Sequence, residues 1–106
     1  MSYDIRLVID TGGEYPAAVT ETISPTYNLA PMFAEALGRR IRDLDGMPAA
    51  EVAPLVAAAL ALMEADPERF RALNPPNGWG SYESAVRALT WLRDACAEHP
   101  KATVQV

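Results

Sequence analysis

A short alternating segment closes the chain. Val104 and Val106 alternate with Thr103 and Gln105, and a strand this short cannot satisfy its backbone alone. The only other strand patterns lie at the opposite end. There Tyr3, Ile5, Leu7 and Ile9 share one face and Asp4, Arg6, Val8 and Asp10 the other, the period of a half-buried strand. Thr11-Gly12-Gly13-Glu14 supplies a turn, and Ala17 to Ile23 leans towards strand through Val19, Thr20, Thr22 and Ile23, with Pro16 placing it at a sheet edge. The closing strand must therefore return beside the first, and the helical patterns between must form a layer joining the two ends. The expected fold class is α+β: a small three-stranded sheet, made of the N-terminal hairpin and the C-terminal strand, covered on one face by three to four helices. At 106 residues the chain is expected to form one domain, 1–106.

Between the strands, Ser24-Pro25-Thr26 is expected to break the pairing. Asn28 is the candidate N-cap of a helix with Pro31 in its first turn and Met32, Phe33, Ala36, Leu37 and Ile41 as its apolar stripe, running to about Arg42. Residues 49–65 predict a central helix buried on more than one side, with Pro54 implying a kink or, as the favoured alternative, a regular start near Ala53. Asp66-Pro67-Glu68 opens a short helix through Phe70. Ser81 caps the last helix, whose face carries Tyr82, Ala85, Val86, Leu89, Leu92, Ala95 and Cys96 until His99-Pro100 stops it.

Bulk properties exclude several functions. Net charge is −5, with no basic run longer than Arg39-Arg40 followed by Arg42, which argues against a nucleic-acid partner. The apolar run from Leu55 to Met63 falls short of the roughly 20 residues of a membrane span. No signal peptide opens the chain, and Cys96 is the only cysteine, so a cytoplasmic, reducing setting without membrane or disulfide is expected. A dimer could form by strand addition if the short C-terminal strand leaves its edge free.

Catalytic patterns are weak. Asp10-Thr11-Gly12 after an apolar strand matches the local motif of retroviral-type aspartic proteases, but those are almost entirely β, and a hairpin turn is the better reading. Cys96 and His99 stand near a helix C-terminus, which disfavours a thiolate. No zinc ligand set and no phosphate loop is present, so no cofactor, no metal and no enzymatic role is expected.

The most specified stretch is Asn74-Pro75-Pro76-Asn77-Gly78-Trp79-Gly80-Ser81, where prolines, an Asn-Gly turn and a capping serine surround one indole. Two functional readings arise. In the first, Trp79 anchors a protein partner, since tryptophans dominate interface energetics. In the second, the two helix entrances, Tyr27–Pro31 and Asn77–Tyr82, lie at one end of the sheet. Tyr27, Asn28, Asn74, Asn77, Trp79 and Tyr82 then frame a polar-aromatic pocket for an anionic or nucleotide-like molecule. Against both stands the structural alternative, in which Asn28 and Ser81 only cap and Trp79 plugs the helix layer.

As a set, Tyr3-Asp4-Ile5 with Asp10-Thr11-Gly12-Gly13, Tyr27-Asn28-Leu29-Ala30-Pro31-Met32, Ile41-Arg42-Asp43-Leu44-Asp45-Gly46 and Asn74 through Glu83 resemble a family of small uncharacterised proteins of actinobacteria and their phages. The resemblance covers nearly the whole chain and brings no catalytic residues. It implies a phage-linked protein in the cytoplasm of a bacterial host, acting by binding a host protein.

Overall fold

The computed structural model describes residues 1–106. The alternating N-terminal segment forms β1 (Arg6–Ile9), with Tyr3, Ile5 and Leu7 buried towards the helices. β2 (Ala17–Ala18) and β3 (Thr103–Gln105) flank it in the order β2-β1-β3, both antiparallel, with Val8 opposite Ala18 on one side and Thr103 on the other. Ile9 does not join the buried set: at the hairpin end, opposite exposed Ala17, it is 39% exposed, while Val8 is buried on the other face.

Pairing along the hairpin continues beyond β2. Isolated bridges join Ile5 to Ile23 and Ser2 to Thr26, and Tyr3 N–H donates to the Pro25 carbonyl at 2.8 Å. Ser24-Pro25 therefore does not break the pairing, because proline's carbonyl can still accept even though its nitrogen cannot donate. Between Val8–Ala18 and Ile5–Ile23 the outer segment spans two residues more than β1. Thr20 fills this bulge: its Oγ1 accepts from Leu7 N–H at 3.0 Å, satisfying a ladder position that the extra residues vacate.

The opposite edge is closed. Gly46 N–H donates to the Val104 carbonyl at 2.8 Å, Val104 N–H to Met47 at 2.9 Å, and Ala49 N–H to Ala102 at 2.8 Å. Asp45 Oδ1 accepts from Val106 N–H at 2.9 Å. The condition for strand addition, a free edge on the C-terminal strand, is not met, because the segment before the second helix lies along it.

α1 (Ala30–Leu37) ends at Gly38, whose φ of +71° marks a left-handed terminus, well short of Arg42. Residues Ile41–Leu44 form a separate 3-10 turn in which the Asp43 carboxylate takes the Arg40 amide at 3.2 Å and its guanidinium at 2.9 Å. α1 is entered through another 3-10 turn, Tyr27–Leu29, whose cap is Thr26 and not Asn28: the threonine hydroxyl accepts the Asn28 amide at 3.3 Å.

α2 (Ala49–Ala65) runs through Pro54 instead of starting at Ala53. The proline removes a bond to the Ala50 carbonyl, and both residues are exposed, so water can take that acceptor. Its burial is one-sided, contrary to the expectation: Ala49, Val52, Val56, Ala59, Leu60 and Met63 form the buried stripe, while Ala57, Ala58 and Ala61 face out. α3 (Pro67–Arg71) buries Phe70, and α4 (Tyr82–Glu98) buries Ala85, Leu89, Leu92, Ala95 and Cys96. These side chains join the inward residues of β1 and β3 in one core of 23 residues. No helix is long and apolar enough to cross a membrane.

Candidate functional site

The loop between α3 and α4 is tied at each step. Asn74 N–H donates to the Arg71 carbonyl at 3.0 Å, and Gly78 N–H reaches back to Pro75 at 3.3 Å. Asn77 Oδ1 accepts the Trp79 amide at 2.9 Å, the side-chain-to-backbone turn that asparagine favours. At the far end Asn74 Oδ1 accepts the Tyr82 amide at 2.8 Å, while Ser81 and Ser84 exchange amide-to-hydroxyl bonds of 2.7 and 3.2 Å. Gly80 docks this loop on the Tyr27–Leu29 turn. Its φ is +103°, and a Cβ there would stand 2.9 Å from both Leu29 Cδ2 and Thr26 Cγ2, so no larger residue fits without movement.

These constraints hold Trp79 outward, with 70% of its surface exposed. The plug alternative is thereby removed. Asn77 Nδ2 lies 3.4 Å from Asn28 Oδ1, so the two predicted helix entrances do meet. Trp79 and Asn28, with Ser2, Ser24 and Thr26, line an open depression of about 510 Å³.

The remaining predicted residues go elsewhere. Tyr82 O–H donates to the Met63 carbonyl at 2.9 Å and Arg71 lies over its ring at 4.6 Å, so it fastens α4 to α2. Asn74 is consumed as a cap. Tyr27 packs edge-on against Tyr3 with centroids 4.6 Å apart and faces a different cavity, which also contains Arg42. The six residues therefore do not frame one pocket. Nor does the α4 N-terminus offer amides to an anion. Asn74 takes Tyr82 N–H, Ser81 takes Ser84 N–H, and the Glu83 carboxyl, held below its ordinary range first by its own backbone amide, occupies the place an anion would need.

From Trp79 the surface continues past Ser24 and Thr26 into a groove of about 440 Å³ between the outer hairpin segment and α4, lined by Ile23, Leu29, Arg87 and Trp91. The sequence reasoning passed over Trp91, which sits beside Leu92 at the edge of the α4 stripe; its size at a half-buried position was the available signal.

The weak catalytic motifs resolve structurally. Asp10 Oδ1 accepts Gly12 N–H at 2.8 Å on an exposed turn. Cys96 is fully buried, which pushes its thiol up to about 11 and away from nucleophilic chemistry. No three His, Cys, Asp or Glu side chains converge as metal ligands. No family model, curated protein or solved structure matches this chain.

Proposed function

We propose that this chain is a non-enzymatic recognition domain, phage-linked and cytoplasmic, that binds a protein of its bacterial host through the Asn74–Ser81 loop. One observation carries the reading: an indole left 70% exposed on a loop whose backbone is tied by the Asn77–Trp79 bond and by the packing of Gly80 on Leu29 and Thr26. A large apolar side chain carried on a tied backbone leaves little main-chain ordering to be done on binding and gains most of its burial at the interface. Exposed Met1 lines the same depression, and Ser24, Thr26, Asn28 and Asn77 stand near Trp79, so the partner surface that fits is an apolar cleft bordered by hydrogen-bonding groups. Affinity capture from actinobacterial lysate with the wild type and Trp79→Ala side by side tests the reading. One saturable partner is expected for the wild type, with a loss of about 2 kcal/mol or more in the variant. Equal retention by both proteins would contradict it. The second reading, an anionic or nucleotide-like ligand between the two helix entrances, draws support only from the Asn28–Asn77 contact, because the amides it needs are taken within the chain.

A further inference from the structure

The face of the sheet opposite the helices carries a second site, which adjoins the Trp79 depression at Ser2. Because Tyr3, Ile5 and Leu7 point to the core, Ser2, Asp4 and Arg6 point away from it. Arg6 stands opposite Gln105, whose Oε1 accepts from Arg6 Nε and leaves both terminal nitrogens of the guanidinium unused. Arg42 reaches the same space from the 3-10 turn Ile41–Leu44. Its guanidinium lies 5.4 Å from the Tyr3 ring centroid and 5.9 Å from that of Tyr27, and one nitrogen approaches Tyr27 Oη at 3.4 Å. Both arginines line a cavity of about 590 Å³ to which Ser2, Thr22 and Tyr27 add hydroxyls.

Their charge is unbalanced in a telling way. The chain is acidic, and Arg40, Arg69, Arg71 and Arg93 are all ion-paired with Asp or Glu. Arg6, Arg39, Arg42 and Arg87 are not, and of these only Arg6 and Arg42 share a cavity; Asp4 lines it too, its Oδ1 accepting from Ser24 Oγ at 3.1 Å. Guanidiniums fixed by neutral partners, with donors left over, match an oxyanion from outside the chain. The walls are nearly all polar, which suits a hydroxylated body and excludes an apolar one, and Asp4 is placed to accept from a ligand hydroxyl. We infer that this cavity binds a small hydroxylated oxyanion, a phosphate monoester or carboxylate of sugar type, with Arg6 and Arg42 gripping the anionic group.

Titrations followed by NMR at the arginine Nε resonances, at constant ionic strength, test this with D-ribose 5-phosphate, D-gluconate and D-ribose. At least one anion is expected to give saturable shifts at Arg6 and Arg42 that ribose does not, and whichever anion binds assigns the group. Arg6→Gln and Arg42→Gln should each weaken binding about tenfold, the loss of one charge-assisted contact. Arg39→Gln, an equal change of net charge away from the cavity, should leave it unchanged. Arg42→Lys, which keeps the charge but loses the planar fork, should also weaken binding. The inference is overturned if neither anion saturates, if ribose binds as well, if the Gln variants bind like wild type, or if Arg39→Gln weakens binding equally.

Discussion

At the scale of single residues, Gly80 carries the most testable weight. Its positive φ and the 2.9 Å approach to Leu29 and Thr26 mean that Gly80→Ala strains the backbone and pushes the loop off its support. A loss of about 1–3 kcal/mol in chemical denaturation is expected. Trp79→Ala, in contrast, removes a side chain that contributes little to the core and should change stability by less than about 0.5 kcal/mol. A large stability loss there would show that the indole works for the fold and not for a partner. Cys96 offers a separate check. Sealed in the core with its thiol raised by burial, it should resist thiol reagents in the native state and react only after denaturation.

Asn74 shows why residue types at a turn were readable while their roles were not. Asparagine in a proline- and glycine-rich stretch signals side-chain-to-backbone bonding, and Asn77 and Asn74 accept backbone amides two and eight residues on, while the Asn28 amide group donates to the Thr26 hydroxyl. Which amide each one serves depends on where the chain returns, and that is a tertiary fact. Thus Thr26 took the capping role assigned to Asn28, leaving Asn28 to meet Asn77 across the two loops.

At the scale of elements, the α4 N-terminus joins stability to presentation. Asn74 supplies the first amide of α4 with an acceptor and simultaneously closes the Trp79 loop. Asn74→Ala should cost about 1 kcal/mol in stability, as cap losses do. It should also loosen Trp79, seen as faster backbone motion over residues 75–80 by NMR relaxation; unchanged order there would contradict the proposed tie. Helix boundaries were legible where a strong local signal stood alone, as at Ser81 and Asp66-Pro67. They were misjudged where two signals competed. Gly38 ended α1 while the apolar residue Ile41 suggested continuation, because Ile41 reaches the core from a separate turn. Pro54 suggested a late start, yet an exposed proline opposite an exposed carbonyl is tolerated. Alanine-rich composition likewise hid the one-sided burial of α2, since alanine is accommodated on either face.

At the scale of the whole molecule, the topology followed from the chain ends: a terminal strand with no local partner had to lie beside β1, and it does. The closure of its outer edge by residues 45–49 was not legible, because no periodicity marks a segment that pairs through isolated bonds. Arg6 and Arg42 were equally hidden. Each reads as an ordinary surface charge, and only the fold brings them to one cavity. Electrostatics also sets a global pH response. Asp43, bonded by the Arg40 guanidinium, and Glu83, bonded by its own amide, titrate below their ordinary values. Depressed folded-state values stabilise the native state above the unfolded carboxylate range and lose that contribution as pH falls through them. The melting temperature should therefore be flat near neutrality and decline below about pH 4.5. Asp43→Asn should shrink the decline, and an identical acid profile in that variant would contradict the assignment.

The central claim is that a stiff loop keeps the Trp79 indole in solvent until a partner covers it. Acrylamide quenching of tryptophan emission in a Trp91→Phe background, where Trp79 is the chain's sole tryptophan, tests it before and after saturation with the captured partner. Strong quenching of the free protein and marked protection in the complex are predicted. An indole already shielded in the free protein, or one equally accessible in the complex, would contradict the account.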